Sequence, residues 1–179
     1  GVLFDSALAN IRFFDAALAS AGLDRLDARG RQLALSLSTH QLVEEVCADE
    51  YERVRLLAAA VALDYGPFYD FMQPVTGLHD LLTYLRRHYR IGMATNRGRT
   101  IHEVIRRFDL APYLEVALGV LDVERPKPDP EMLTKCLVQL DTEPAHAVYV
   151  GDQDTDRRAA EAAGMHFVAV GDETEAALR

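Results

Sequence analysis

The texture of the chain changes at Gln73-Pro74, and that change constrains the fold more than any other feature. Beyond it, apolar segments with helical spacing alternate with short β-branched runs. Helices are predicted at 78–88, 100–108, 130–140 and 154–163, and strands at 90–94, 115–118, 147–150 and 166–170. Such alternation predicts an α/β unit, a Rossmann-like three-layer core with a mostly parallel sheet between helices. Open sheets of this kind bind ligands outside the carboxyl ends of their strands. The residues that follow each strand are therefore where chemistry is sought.

Before the change, residues 6–71 read as helix after helix, with few breakers. Ala7, Leu8, Ile11, Phe14, Leu18 and Ala21 recur at helical spacing after a Ser6 cap, and Gly22 closes the segment. Further helices are predicted at 28–37, from Thr39, and at 49–65. The last carries Val54, Leu57, Ala58 and Val61 as its inward face and stops before Gly66-Pro67. Glu45 stands too late after Thr39 to close a capping box there.

Three strand ends carry polar groups. After Ile91-Gly92-Met93-Ala94 come Thr95, Asn96, Arg97 and Gly98. A hydroxyl beside free backbone N–H groups can bind an anion, and it can equally cap a helix. After Val148-Tyr149-Val150 comes Gly151-Asp152-Gln153-Asp154-Thr155-Asp156, with three carboxylates in five residues. Such crowding suits a hard cation, of which Mg²⁺ is typically held by one or two carboxylates and a substrate phosphate. An acidic helix amino terminus is the plainer alternative. Between these two strand ends, Arg125-Pro126-Lys127-Pro128-Asp129-Pro130 mounts a lysine between two prolines, which restrict its backbone on both sides. The 19 basic residues divide into 17 arginines and two lysines, Lys127 and Lys135. A lysine in so rigid a setting suits a compact charge that must reach a fixed target. Lys135, on a predicted helix, needs no such reading. Together the hydroxyl, the ammonium and the carboxylates form a candidate phosphate-plus-metal site.

Composition narrows the class of function. Of 179 residues 49% are hydrophobic, which excludes a disordered chain, and 28 acidic against 19 basic residues give a formal charge of -9. That balance disfavours a general binder of nucleic acid or of anionic membranes. Apolar runs such as 56–63 are far too short to span a bilayer, which needs about 18 residues or more. Cys47 and Cys136 read as reduced thiols of a cytoplasmic protein.

In their order along the chain, these motifs resemble the haloacid dehalogenase superfamily, in its phosphoglycolate-phosphatase-like branch. Gly1-Val2-Leu3-Phe4-Asp5-Ser6 is similar to the tail of the family's first motif, Thr95-Asn96 to the second, Lys127 to the third, and Gly151-Asp152 through Asp156 to the fourth. The resemblance implies a core formed by residues 1–5 and 74–179, with residues 6–73 as an inserted helical cap domain. It also implies a Mg²⁺-dependent phosphatase of a small phosphorylated metabolite, such as a phosphoglycolate-like compound or a sugar phosphate, working through an aspartyl-phosphate. Thr95, Asn96 and Lys127 would bind the substrate, with Thr95 and Lys127 also catalytic. Asp152 and Asp156 would serve the metal. In the family the first motif reads Asp-x-Asp-Gly, and the present chain begins at the glycine. By resemblance, the nucleophile and the second aspartate lie upstream of Gly1, and the chain as it stands is expected to be inactive.

Two other activities fit the same residues: a hexose-phosphate mutase of the same fold, and a phosphate- or metabolite-binding protein without turnover. A phosphonate-cleaving relative would need a cap lysine, and no lysine precedes Lys127. A dehalogenase is not excluded, although the acidic cluster favours a metal. Polar residues at cap turns, Ser38, Thr39, His40 and Gln41, are candidates for substrate contact, and Arg97 and Arg99 for a second substrate anion. A monomer or a homodimer is expected, with neither nucleic acid nor membrane as partner.

Overall fold

The computed structural model describes residues 1–170, so the end of the expected core segment, 171–179, lies outside the described residues. The chain opens with a short strand β1 (Phe4–Asp5), followed by α1 (Ala7–Ser20). Asp5 rather than Ser6 supplies the capping oxygen of α1, its Oδ1 accepting from the Ala7 N–H at 3.0 Å. Next come α2 (Ala28–Leu33), capped by Asp27, and α3 (Thr39–Val46). Helix α2 is shorter than the expected 28–37. At α3 the structure corrects the reading of its start. Ser38 and Gln41 form a reciprocal capping box, with Gln41 rather than Glu45 at the third position.

Helix α4 (Glu50–Ala62) is capped by Asp49, whose carboxylate accepts from the Glu52 N–H at 2.9 Å. Its orientation differs from the expected one. Leu56 and Ala60 face inward, against α1 and α3, while Val54, Ala58 and Val61 are exposed. Apolar residues lie on two sides of this helix, so periodicity by itself cannot choose between them. A 3-10 turn at Gly66–Phe71 then leads to β2 (Gln73–Pro74). This strand pairs antiparallel with β1, Phe4 opposite Pro74, so the chain enters and leaves the helical segment at adjacent points.

The remaining elements keep close to the expected alternation: α5 (Leu78–Arg86), β3 (Gly92–Ala94), α6 (Ile101–Arg107), β4 (Val116–Leu118), α7 (Glu131–Gln139), β5 (Val148–Gly151), α8 (Asp154–Ala162) and β6 (His166–Ala169). Strands β3 and β4 pair in parallel, Ala94 opposite Leu118, and so do β5 and β6, Val150 opposite Val168. The fold is α/β, with parallel pairing in its core and helices around it. The largest apolar cluster runs from Phe13, Leu42 and Leu56 to Leu82, Val104 and Leu110, joining the helical segment to α5 and α6. Smaller clusters seat α7 on β3 and β4 through Met132 and Cys136, and α8 on the β5 side through Ala159 and Ala160. The ends of β3 and β5 are thereby held beside each other.

Candidate active site

Lys127 is the centre of the site. Only 6% of its surface is exposed, and the Nζ donates to three oxygens: Asp156 Oδ1 at 2.7 Å, the Tyr149 hydroxyl at 2.7 Å and the Ala94 carbonyl at 3.1 Å. The ammonium thus lies between the ends of β3 and β5. An isolated buried charge is costly, and here it is paired with a carboxylate and fully hydrogen-bonded.

The loop that carries Lys127 is fastened by more than its prolines. Asn96 grips the lysine backbone from both sides, its Oδ1 accepting from the Lys127 N–H at 3.1 Å and its Nδ2 donating to the Lys127 carbonyl at 3.0 Å. Glu131, at the start of α7, accepts from the backbone N–H groups of Glu124 and Arg125, both at 3.0 Å. The Lys135 ammonium, 2.7 Å from Glu131, and these two N–H groups hold the Glu131 carboxyl far below the usual range, at about 2. The Lys127-Pro128 peptide is cis.

Asp156 is 5% exposed and receives four hydrogen bonds. Oδ1 takes Lys127 and, at 3.3 Å, the Tyr149 hydroxyl. Oδ2 takes the N–H groups of Asp152 and Gln153, both at 3.2 Å. The latter pair is the start of α8, where the Asp156 carboxylate closes back on the Gln153 N–H. The carboxylate therefore caps its own helix and neutralises the lysine. Gly151 is required by this packing, because a Cβ at that position would lie 2.4 Å from Asp156 Cβ.

Tyr149 has no part in the sequence-based site. Its hydroxyl accepts from Lys127 and shares its own proton between the Ala94 carbonyl, at 2.9 Å, and Asp156. Burial pushes the phenol pKa up, and the neighbouring Asp156 charge adds to the shift, so the group stays neutral. The one signal in the sequence was a hydroxyl-bearing residue in an otherwise apolar strand. Glu131 was equally hidden, as an ordinary acid in the first turn of a helix.

The acidic cluster is not a three-carboxylate cage. Asp154 is exposed, Asp156 turns inward to Lys127, and Asp152 keeps a side chain 22% exposed, 3.2 Å from the Gly1 amino group. Repulsion among the three is relieved by their divergence at a helix start and by Lys127. Among the described residues, no group of three or more His, Cys, Asp or Glu side chains could hold a metal by itself. The donor set does fit an ion that needs only one or two protein carboxylates. Asp152 is partly accessible at the end of β5, and Asp156 lies directly behind it.

Thr95 directly follows β3, its N–H bound to the Leu118 carbonyl and its Oγ1 accepting from the Arg97 N–H at 3.2 Å. The helical segment reaches the same place. Gln41 Nε2 approaches the Lys127 carbonyl at 3.4 Å, and the Ser36 carbonyl accepts from Asn96 Nδ2 at 3.2 Å. Of the cap-turn candidates, Gln41 thus touches the site, Ser38 is buried and hydrogen-bonded to Gln41, and His40 is exposed. Arg97 turns to Thr100 Oγ1 and Met72 Sδ, and Arg99 to the carbonyls of Ala60 and Leu63. Arg99 therefore ties α4 to the start of α6.

A family profile described as haloacid dehalogenase-like hydrolase matches residues 1–170. The chain belongs to that family. It is 35% identical over 86 residues to the pyrophosphatase PpaX of Bacillus cereus, a match covering 48% of this chain and 40% of that protein. The match to this curated relative therefore spans less than half of the relative's length. Among solved structures, a haloacid dehalogenase-superfamily hydrolase of subfamily IA, variant 1, from Geobacter sulfurreducens is similar at 30% identity and a TM-score of 0.72. The similarity covers 94% of this chain and 82% of that one. A protein from Lactobacillus plantarum assigned as a phosphoglycolate phosphatase has the same fold, with a TM-score of 0.82 at 23% identity over 93% of this chain and 80% of its own. The chain is thus a haloacid dehalogenase-like hydrolase. No helix among its described residues is long and apolar enough to cross a membrane.

Proposed function

We propose that this hydrolase is a Mg²⁺-dependent phosphatase of a small phosphorylated metabolite, with residues 6–73 acting as the cap over a core of residues 1–5 and 74–179. The observation that carries the reading is the buried Lys127 ammonium, paired with Asp156 and held against the ends of β3 and β5. An ammonium in that position can neutralise a phosphoryl group lying at the strand ends. Thr95, at the end of β3, would donate its hydroxyl proton to a phosphoryl oxygen. Asn96 would keep Lys127 in register, and Gln41 would close the cap side.

In this reading the nucleophile is an aspartate preceding Gly1. Gly1 lies beside Asp152, so chain preceding it would adjoin the carboxylates that follow β5. The carboxylate oxygen would bond to phosphorus as the phosphorus–oxygen bond to the leaving group breaks, and that oxygen departs as an alcohol after taking a proton. Water would then cleave the acyl phosphate, giving inorganic phosphate and restoring the carboxylate. Asp152 would hold Mg²⁺, supported by Asp156, and the ion when bound supplies positive charge to the phosphoryl oxygens.

Titration calorimetry of the chain with inorganic phosphate and Mg²⁺ tests the binding half. Saturable binding is expected, weakened at least tenfold by Thr95→Ala and abolished by Lys127→Met. Equal binding by Lys127→Met would overturn the reading. The catalytic half is tested on a panel of phosphate esters with an Asp-x-Asp strand present upstream of Gly1. Binding without Mg²⁺-dependent phosphate release would identify a non-catalytic binding protein. Exchange between sugar phosphates without net release would identify a mutase.

A further inference from the structure

A lysine ammonium has three N–H donors, and at Lys127 each of them has a partner inside the protein. Asp156 Oδ1 and the Tyr149 hydroxyl accept at 2.7 Å, and the Ala94 carbonyl at 3.1 Å. A positive charge so placed attracts a nearby phosphoryl group through space. Direct donation to a phosphoryl oxygen is a different matter, because no N–H is left over for it. The ammonium must first give up one of its three partners.

The three are not equally easy to release. Leaving Asp156 would break a buried ion pair, the costliest change of the three. The Ala94 carbonyl and the Tyr149 hydroxyl behave as a unit, since the hydroxyl also donates to that carbonyl at 2.9 Å. When the ammonium leaves either of them this bond remains, and the carbonyl is not left bare. The phenol itself is held independently of the lysine. Its ring packs beside the cluster of Leu133, Ala159 and Ala160, with its centroid 6.5 Å from that of Phe167.

We propose, resting on the phosphatase reading, that Tyr149 is a positioning residue that competes with phosphate for the Lys127 ammonium and so sets how tightly the site holds phosphate. A phosphatase releases inorganic phosphate at every turnover, and an internal partner ready to take back the N–H favours that release. The direction of the effect separates competition from mere support. If the hydroxyl only steadied the lysine, its removal would loosen the ammonium and weaken phosphate binding. If it competes, Tyr149→Phe leaves the lysine on Asp156 and Ala94 with one N–H unpartnered. Phosphate then takes that N–H without displacing anything.

Two measurements on the wild type, Tyr149→Phe and Lys127→Met test it. In calorimetry with inorganic phosphate and Mg²⁺, Tyr149→Phe is expected to bind roughly three- to tenfold tighter than the wild type, the equivalent of one net hydrogen bond. Isotope labelling of the lysine side-chain nitrogens gives two ammonium signals by NMR, from Lys127 and Lys135, which Lys135→Arg tells apart. Without phosphate, the Lys127 signal is expected to exchange slowly with water in the wild type, and to shift and exchange faster in Tyr149→Phe. A signal indifferent to Tyr149→Phe would overturn the proposal. Weaker or unchanged phosphate binding by Tyr149→Phe, beside wild-type binding that Lys127→Met abolishes, would overturn it and leave the phosphatase reading standing. Binding by none of the three proteins would overturn that reading and the proposal with it.

Discussion

Replacing Asp156 by Asn keeps the shape of the side chain and removes its charge, and so isolates the pair on which the site rests. At 2.7 Å and an effective dielectric constant near 20, the gross attraction between Lys127 and Asp156 is about 6 kcal/mol, opposed by the desolvation of both groups. In Asp156→Asn the amide oxygen can still cap α8. Its NH₂ then faces the Lys127 ammonium and the Tyr149 hydroxyl, which leaves the lysine with Tyr149 and the Ala94 carbonyl as partners. Breaking one side of such a buried pair costs about 3–5 kcal/mol. In a domain of this size, that lowers the melting temperature by roughly 6–20 °C. Lys127→Met is expected to cost less, about 1–3 kcal/mol, because Asp156 keeps Tyr149 and two backbone N–H donors. The double variant should be more stable than the sum of the two losses implies, by about 1–3 kcal/mol. Urea unfolding followed by circular dichroism measures all three, with unchanged m-values as the control. A coupling below about 0.5 kcal/mol would refute the reasoning, because it would show that the two groups do not act on each other as a desolvated pair.

Gly151→Ala places a methyl group against Asp156 Cβ, and is expected to cost about 1–3 kcal/mol in urea unfolding and to weaken phosphate binding in calorimetry. Glu131 has a folded-state pKa of about 2, below its unfolded value, so the stability it contributes is present above about pH 4.5 and is lost as pH falls toward 2. Glu131→Gln should therefore flatten the acid limb of a stability–pH profile, and an unchanged limb would count against that clamp on the Lys127 loop. Burial pushes the Cys136 thiol up to about 11, so it should resist a thiol reagent at pH 8 until the protein unfolds, and fast labelling in the native state would contradict the packing of α7 on β3.

The core was legible because each element there is short, amphipathic and punctuated, and each observed boundary falls within about two residues of the predicted one. Lys127 was legible for a different reason, as one of two lysines among 17 arginines and the one set between prolines. Tyr149 was not, since a tyrosine within a β-strand is usually packing, and only the approach of β5 to the end of β3 gives its hydroxyl three partners. The three carboxylates at 152–156 were visible as a cluster. Their divergence was not, because it depends on where α8 starts and which way each residue of its first turn points.

Local order, from the alternation after Pro74 to the residues at each strand end, follows from periodicity, turn chemistry and backbone restriction, which act within a few positions along the chain. Contacts between distant segments were decided by tertiary packing alone. Helix α4 carries apolar residues on two sides, and only its seating on α1 and α3 determined that Leu56 is buried and Val54 is not. The pairing of Lys127 with Asp156, 29 residues apart, likewise required the two strand ends to be fixed first. Burial is a property of the assembled fold, and a charge becomes a site only where that fold removes the water around it.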